Sequence, residues 1–262
     1  MKDTIIMIHG MWLSSWAWDN YVKFFTKKGY RCLTPILRYH DVDPKAPPIP
    51  ELGCVSILDY INDLEKDLKA YKLKQPPIII GHSMGAILAQ VLLTRIKAKA
   101  FVLITPVPPW GMHMYTPSTI RIFIGDLFKW KSWRRPFKHS YNNVVYSMTK
   151  LLSPAKQKKY YNKMLYDSGK AGFEIFLYMF DSKKAIYVDK TKIKCPGLVI
   201  GAKQDKLIPV SIARKVAKKY RSIAEYKEYP DHAHWIIDEP GWEKVADDIY
   251  TWLQRAINKK KR

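Results

Sequence analysis

Short apolar runs alternate with longer periodic segments along most of this chain. Runs of apolar and β-branched residues are typical of strands, and runs without polar positions are typical of strands covered on both faces. The predicted strands are residues 4–8, 30–33, 78–80, 100–104, 196–201 and 224–229. Elsewhere apolar residues recur at helical spacing, and the predicted helices are residues 16–25, 55–71, 87–96, 211–220 and 242–257. Strands that alternate with helices predict an α/β fold with a mostly parallel central sheet and helices on both faces.

The alternation stops between residues 106 and 189. Prolines at positions 106, 108 and 109 open this stretch, and helical patterning then recurs at residues 118–129, 142–152, 154–166 and 171–179. A long insertion between two sheet strands, rich in Trp, Tyr, Met and Phe, is interpreted as a helical lid. We therefore expect a core of residues 1–105 and 190–262, with a lid of residues 106–189.

Length and composition bound the class of protein. The 262 residues are 47% hydrophobic, which is enough for one sizeable core. No apolar run approaches the roughly 18 residues of a membrane-spanning helix, and the first run is too short for the core of a signal peptide. Cys32, Cys54 and Cys195 are odd in number and widely spaced, which favours reduced thiols in or near the core over disulfides or metal ligands. These features predict a cytoplasmic protein.

The charge balance is strongly basic. Lysine and arginine number 45 against 23 acidic residues, which gives a formal net charge of +22. A field of this sign attracts acidic partners, whether nucleic acid, an anionic membrane surface or acidic substrates. The lysines are spread along the chain without a nucleic-acid-binding motif, so nucleic acid is not an expected partner. The charge is also consistent with a role in solubility alone.

The rest of the chain is organised around the turn Gly81-His82-Ser83-Met84-Gly85. This turn has the form G-x-S-x-G and joins the buried strand at residues 78–80 to the helix that follows. A serine on so sharp a turn has strained torsion angles, and the positions two before and two after it need minimal side chains. The context predicts a nucleophile elbow that holds the Ser83 hydroxyl clear of the sheet. The alternative is a tight turn with a solvated serine.

A nucleophilic serine needs a general base, and the base needs a carboxylate that fixes its tautomer and balances the imidazolium. Functional loops lie at the carboxyl ends of parallel strands, and Asp205 follows one such predicted strand while His232 and His234 follow another. The order Ser, Asp, His along the chain is the order expected for this kind of sheet. We predict that Ser83, His234 and Asp205 are the catalytic residues. The alternative for Asp205 is a solvated turn residue.

The other histidines receive lesser roles. His234 is preferred over His232 because a turn into the last helix follows it, and His232 is then a supporting or exposed residue. His9 and His82 are expected to be structural, with rings bonded to nearby backbone. No supporting context is found in the sequence for His40, His113 and His139.

The proposed chemistry also needs an oxyanion hole, in which each donor is worth about 3–4 kcal/mol. One donor is expected to be the backbone N–H of Met84, directly after the nucleophile. The other is expected from the first loop, where the backbone N–H of Met11 is the candidate. Backbone placement at Met11 matters to this role, and the identity of its side chain matters little.

These motifs resemble the α/β-hydrolase superfamily over nearly the whole chain, in particular its lid-bearing esterases, lipases and related hydrolases. The resemblance lies in His9-Gly10-Met11-Trp12, Leu33-Thr34-Pro35, Gly81-His82-Ser83-Met84-Gly85, Gly201 with Asp205 and Pro209, and His234-Trp235. It implies a serine hydrolase that works through an acyl-enzyme and needs no cofactor or metal. Residues 37–41 depart from the Pro-Gly-His-Gly-like turn of many members, which leaves the shape of that loop open. Ser83 argues against dehalogenases and epoxide hydrolases, which resemble this fold but carry an aspartate there.

One part of the predicted lid, residues 123–138, interleaves aromatic with basic side chains. Aromatic rings can enter a lipid interface while lysine and arginine meet anionic head groups. One hypothesis is that the lid docks on an anionic membrane or on acidic lipid aggregates. The alternative is an ordinary lid whose aromatic residues line an acyl pocket.

The predicted function is hydrolysis of a small carboxylic ester with a medium or apolar acyl group. The same triad also serves thioester hydrolysis, acyl transfer and cleavage of a carbon–carbon bond in a β-diketone-like substrate, and these remain open. A different class of function is a non-catalytic binding protein on a hydrolase scaffold. The intact set of serine, aspartate, histidine and elbow glycines argues against that class.

Overall fold

A single parallel sheet lies at the centre of the protein. The computed structural model describes residues 3–127 and 131–258. Within these ranges the strands are β1 (Thr4–Ile8), β2 (Arg31–Leu33), β3 (Ile78–His82), β4 (Ala100–Ile104), β5 (Gly197–Ala202) and β6 (Ala224–Tyr229). They are ordered β2-β1-β3-β4-β5-β6, and each neighbouring pair is parallel. The predicted α/β class with a mostly parallel sheet is confirmed.

Helices cover both faces of this sheet. The α-helices of the described residues are α1 (Asp19–Lys27), α2 (Ile57–Ala70), α3 (Met84–Leu92), α4 (Pro117–Leu127), α5 (Tyr141–Val144), α6 (Pro154–Lys163), α7 (Gly169–Phe176), α8 (Val210–Lys219) and α9 (Trp242–Asn258). Helix α1 contacts α9, and α2 contacts α3. Helix α1 connects β1 to β2, and α3 connects β3 to β4. These two connections run in opposite directions across the sheet. Because parallel crossovers are right-handed, α1 and α3 lie on opposite faces.

Burial differs between the middle of the sheet and its edges. All residues of β3 and β4 are buried, as their continuous apolar sequences predict. The edge strand β2 is short and partly exposed. The other edge strand, β6, carries charged residues that pair with neighbouring helices. These ion pairs join Glu225 to Arg255, Lys227 to Asp248 and Glu228 to Arg214.

The register of the sheet brings the predicted site loops to one edge. The paired residues near the strand ends are Ile8 with Gly81, His82 with Ile104, Ile104 with Ile200, and Ala202 with Tyr229. The segments that follow β1, β3, β5 and β6 therefore start side by side. This is the carboxyl edge, where functional loops of parallel sheets are expected.

The lid, residues 106–189, contains α4 to α7, and its boundaries stay a prediction. The helix predicted at residues 154–166 ends at Lys163, and two other predicted helices of the lid differ more from the structure. The segment 142–152 forms the short α5 and then a π-helical turn, Val145–Thr149, and Ser147 Oγ in that turn donates to the Asn143 carbonyl. The segment 171–179 forms α7, which begins at Gly169 because Ser168 caps it by accepting from the Ala171 N–H.

Part of the lid prediction lies outside the described residues. This applies to Phe128, Lys129 and Trp130 of the aromatic and basic segment, and to the end of the helix predicted to reach residue 129. Among the described residues, no helix has the length and apolarity needed to cross a membrane.

Cys195 is buried and Cys32 is partly buried, but Cys54 is exposed. The expectation of thiols in or near the core is therefore wrong for Cys54, which ends a 3-10 turn at the surface.

The turn between β3 and α3 depends on very close backbone contacts. Ser83 has φ 57° and ψ −120°, which are strained angles for a residue with a side chain. A Cβ atom added at Gly81 would lie 2.3 Å from the carbonyl oxygen of Gly85. One added at Gly85 would lie 2.1 Å from the carbonyl oxygen of Ile8. Only hydrogen fits at both positions, as predicted for a nucleophile elbow.

Replacement of Gly85 by alanine is expected to lower the free energy of unfolding by about 1–3 kcal/mol, because the new methyl group meets main-chain oxygen of β1. Urea unfolding measures the loss. Gly125→Ala is the matched control, since no atom lies within 4 Å of an added Cβ there and alanine favours a helix by about 1 kcal/mol over glycine. Equal losses in the two variants would contradict the packing argument.

Candidate active site

Ser83, His234 and Asp205 form one chain of hydrogen bonds. Nε2 of His234 lies 3.0 Å from Oγ of Ser83, and Nδ1 of His234 lies 2.8 Å from Oδ2 of Asp205. Because a carboxylate only accepts hydrogen bonds, Nδ1 carries the proton and Nε2 accepts from the serine hydroxyl. All three side chains are buried. The structure thus brings together the three residues predicted from the sequence, with a base in position to take the serine proton.

The Asp205 carboxylate is oriented by the loop that follows it. Its Oδ1 accepts the backbone N–H groups of Leu207 and Ile208, each over 2.8 Å. Such a turn is a common use of aspartate after a strand. It leaves Oδ2 directed at His234.

His82 supports the main chain of His234. Its Nε2 donates to the carbonyl oxygen of His234 over 2.9 Å, which confirms the expectation that this ring bonds backbone. Burial, followed by the proximity of His234, lowers the pKa of His82 to about 3. His82 is therefore neutral at ordinary pH and serves as a hydrogen-bond donor.

His232 contacts Glu239. Nδ1 of His232 lies 3.3 Å from Oε2 of this buried carboxylate, which also accepts the N–H of Ala233 over 2.8 Å. The carbonyl oxygen of His232 accepts the N–H of Gln204, so the loops that carry His234 and Asp205 are joined. These contacts agree with the expectation that His232 is a supporting residue. Glu239 was not identified from the sequence.

The first loop, residues 9–13, runs beside Ser83. A Cβ atom added at Gly10 would lie 3.0 Å from Cβ of Ser83, so glycine permits this approach. Nε2 of His9 accepts the N–H of Leu37 over 3.2 Å, and Nδ1 then donates to the carbonyl oxygen of Gly10 over 2.9 Å. The expected backbone role of His9 is confirmed. Burial, followed by the charge of His40, lowers the pKa of His9 to about 3.

The Gly10 carbonyl belongs to the same peptide group as the N–H of Met11. Since the peptide is trans, fixing that carbonyl also fixes the direction of the N–H. Within residues 3–127 and 131–258, the N–H groups of Met11 and Met84 have no protein acceptor. Both residues line the recess beside Ser83, and the assignment of their N–H groups to the oxyanion hole stays a prediction.

An apolar recess adjoins Ser83. It encloses about 280 Å³ of empty space, part of it open to solvent. Its wall residues come from the first loop, the start of α3, the lid and the loop after Asp205: Met11, Trp12, Met84, Val107, Met114, Phe123, Ile175, Leu207 and Ile208. A larger groove of about 1480 Å³, also partly open, lies in the lid and shares Phe123 with the recess.

The view of His40 as a residue without supporting context is wrong. Its ring is buried, with Nε2 3.1 Å from Oδ2 of Asp167 and Nδ1 2.9 Å from the carbonyl oxygen of Arg38. Burial opposes its charge, but the Asp167 carboxylate and the hydrogen bonds to backbone carbonyl oxygens together raise the pKa of His40. Asp167 lies 127 positions away in the lid, and no spacing motif connects the two.

Comparisons with known proteins agree with this architecture. A family model described as the alpha/beta hydrolase family matches residues 5–248. A pyrethroid hydrolase from Sphingobium faniae JZ-2 has 18% identity and a TM-score of 0.69, with 96% of this chain and 97% of that chain covered. A monoacylglycerol lipase of Paleococcus ferrophilus has 17% identity and a TM-score of 0.70, with 95% and 93% covered.

A third similar structure is an extracellular alpha/beta-hydrolase from a Paenibacillus species, which shares structural and functional homology with tobacco salicylic acid binding protein 2. It has 16% identity and a TM-score of 0.69, and the match covers 94% of this chain and 97% of that one. At these identities the three likenesses establish a shared fold over nearly the full length.

His9 and His82 are buried in their neutral form, which predicts that the folded protein loses stability in acid. Both pKa values are about 3 in the folded chain against an ordinary 6.5, so the unfolded chain binds more protons below about pH 6.5. The free energy of unfolding should fall from there towards pH 3 by about 1.4 kcal/mol per pH unit for each histidine. Well below pH 6.5 His40 does not offset this loss, because its raised pKa keeps it protonated in the folded chain and its ordinary pKa keeps it protonated in the unfolded one.

Urea unfolding between about pH 7 and pH 5 measures this slope. His82→Gln retains a donor for the His234 carbonyl but does not titrate, so it should flatten the slope. His113→Gln is the control, because His113 is exposed and its replacement should leave the slope unchanged. If all three proteins show the same slope, the pH dependence of the free energy of unfolding does not come from the buried neutral histidines.

Proposed function

This chain belongs to the alpha/beta hydrolase family, and from that premise we propose that it is a serine hydrolase of carboxylic esters with a medium or apolar acyl group. The observation that supports the proposal is the buried hydrogen-bond chain from Ser83 through His234 to Asp205. A serine hydroxyl becomes an effective nucleophile when a positioned imidazole takes its proton. The proposed reaction uses only groups of this chain, the ester and water.

In the first half of the reaction, Oγ of Ser83 attacks the ester carbonyl carbon while Nε2 of His234 takes its proton. Asp205 accepts the Nδ1–H and balances the charge of the imidazolium. The N–H groups of Met11 and Met84 stabilise the oxyanion of the tetrahedral intermediate. His234 then gives its proton to the leaving alkoxide, and the carbon–oxygen bond to the alcohol breaks to leave an acyl-serine.

The second half releases the acid. His234 takes a proton from a water molecule, whose oxygen attacks the acyl-serine carbonyl. The new tetrahedral intermediate collapses with loss of the Ser83 oxygen, which regains its proton from His234. The carboxylic acid leaves, and the site returns to its starting state.

The surroundings of Ser83 support an apolar acyl group. The recess beside Ser83 has room for only about 20 Å³ of buried substrate, so it suits the reacting end of a substrate and not a whole acyl chain. Phe123 is shared with the larger lid groove. A longer chain would continue past this ring into that groove, which Phe173 and Leu177 also line.

A fluorophosphonate probe and a series of p-nitrophenyl esters of rising chain length test the proposal together. We expect wild-type protein to be labelled and to hydrolyse the esters, and Ser83→Ala to lose both. Loss of Ser83 or His234 should lower kcat by about 10⁴–10⁶-fold. Labelling that survives in Ser83→Ala would refute the site, and the absence of labelling in wild type would favour the non-catalytic binding function.

His232→Gln is the matched control for His234→Gln. His232 contacts Glu239 at 3.3 Å, so its replacement should leave most of the turnover. If the two variants lose activity equally, the choice of base is wrong. Product analysis with thioesters, acyl acceptors and β-diketones separates ester hydrolysis from the other reactions that the same triad supports.

We also propose that the lid docks on anionic membrane surfaces. Ile120 and Ile124, four residues apart on α4, are exposed by 43% and 45%, and Trp133 by 42%. Arg134 and Arg135 are exposed next to Trp133. Exposed apolar groups beside cations suit an interface in which rings enter the lipid and arginines meet anionic head groups.

Co-sedimentation with vesicles measures this docking. Wild-type protein should bind anionic vesicles more than neutral ones at low salt, and added salt should weaken the binding. Arg134→Glu combined with Arg135→Glu should reduce it, while Lys244→Glu on α9, which changes one exposed cation on the core, should reduce it less. Equal binding to neutral and anionic vesicles would discard the proposal.

A further inference from the structure

Three consecutive peptide groups of the first loop are held by hydrogen bonds. His9 holds the group between Gly10 and Met11 through the Gly10 carbonyl. Oδ2 of Asp167 holds the next group by accepting the N–H of Trp12 over 2.8 Å. The N–H of Leu165 holds the third by donating to the carbonyl oxygen of Trp12 over 2.9 Å. Asp167 and Leu165 both belong to the lid, so the lid fixes the loop on both sides of Trp12.

Trp12 needs such fixing because its backbone is strained. Its φ is 64°, a left-handed value that is unfavourable for a residue with a side chain and persists only where the surroundings enforce it. The buried indole ring packs against Phe137 and His139, with ring centroids 5.5 Å and 4.7 Å away. These rings are also part of the lid.

Asp167 is completely buried and has four donors. Besides the Trp12 N–H, it accepts the Ser168 N–H over 2.7 Å, while His40 Nε2 lies at 3.1 Å and the Tyr60 hydroxyl at 3.4 Å. A buried carboxylate is stable only when its charge is compensated. His40 supplies the compensating charge.

The geometry of His40 indicates a cation. Both ring nitrogens face groups that only accept, the Asp167 carboxylate and the Arg38 carbonyl oxygen. Each nitrogen must therefore carry a proton to avoid opposed lone pairs. The other titratable groups that face the ring are His9, with a centroid distance of 5.4 Å, and Tyr60, with 6.0 Å.

We infer that Asp167 and His40 are positioning residues for the oxyanion hole. The lid carboxylate, held by the His40 imidazolium, fixes the peptide between Met11 and Trp12. This peptide is joined at the Met11 Cα to the peptide that carries the Met11 N–H, so it limits how far that N–H can turn. The catalytic meaning of this inference rests on the proposed ester hydrolysis. Neither residue lines the recess beside Ser83. A donor displaced by about 1 Å loses much of its effect on the transition state, of order 10²-fold in rate.

Glu174 provides a matched control. It is a second buried lid carboxylate, and it joins α7 to the start of α2 by accepting the Ser56 hydroxyl and the N–H of Ile57, the latter over 2.7 Å. Its hydrogen-bond partners lie outside the first loop. Glu174→Gln therefore weakens the attachment of the lid to the core without removing a contact to the peptide groups around Trp12.

The first experiment compares Asp167→Asn, His40→Gln and Glu174→Gln with wild type on a p-nitrophenyl ester. For Asp167→Asn and His40→Gln, kcat should fall about 10–100-fold while KM changes less than about threefold. The inhibition constant of a trifluoromethyl ketone, which adds to Ser83 and forms an oxyanion, should rise by about the same factor as kcat falls. Glu174→Gln should stay within about threefold of wild type in all three quantities.

The second experiment measures the stability of the hydrogen bonds in the first loop and does not depend on catalytic activity. Amide hydrogen exchange in the peptide that covers residues 9–14 should be faster in Asp167→Asn than in wild type, and unchanged in Glu174→Gln. If wild type hydrolyses no ester, the proposed function fails, and exchange still decides the positioning role. His40→Gln serves the same test if Asp167→Asn does not fold. Equal effects of Asp167→Asn and Glu174→Gln, or unchanged exchange at residues 9–14, would overturn the inference.

Discussion

The candidate active site depends on how closely three backbone segments approach one another at the carboxyl edge of the sheet. Gly85 lies against the carbonyl oxygen of Ile8, and Gly10 lies against Ser83. Because no side chain fits between them, the end of β1, the serine turn and the start of α3 form one rigid unit. The strained torsion angles of Ser83 persist because this packing leaves the turn no other conformation. This unit holds Ser83, and the His234 imidazole and the N–H groups of Met11 and Met84 are arranged around it.

The lid joins this unit through buried polar contacts as well as apolar ones. Asp167 accepts from the first loop, the Ser168 hydroxyl donates to the carbonyl oxygen of Val55 over 2.6 Å, and Glu174 accepts from the start of α2. Separation of residues 165–174 from the core would leave the N–H groups of Trp12 and Ile57 without acceptors and the His40 ring without its carboxylate partner. This stretch therefore belongs to the core in energetic terms, although it lies within the inserted segment of the sequence.

The sequence predicted the features that depend on local periodicity and strand order. Continuous apolar runs identified β3 and β4, and positions after strand ends brought Ser83, Asp205 and His234 into consideration before their side chains were known to lie together. The starts of the lid helices were less well predicted, although serine caps such as Ser168 are visible in the sequence. His40 and Asp167 could not have been paired in advance, because their contact depends on how the lid folds back over the first loop.

The two ends of the sheet bear on how copies of the protein meet. A parallel sheet leaves unpaired peptide groups along its outermost strands, and another chain can add a strand there. Strand β2 offers only Arg31–Leu33 for such addition. Along β6 the charged side chains are already bonded to Arg214, Asp248 and Arg255, and an incoming strand would have to strip water and partners from them. Both borders thus discourage intermolecular strand addition, and with it aggregation of the folded protein.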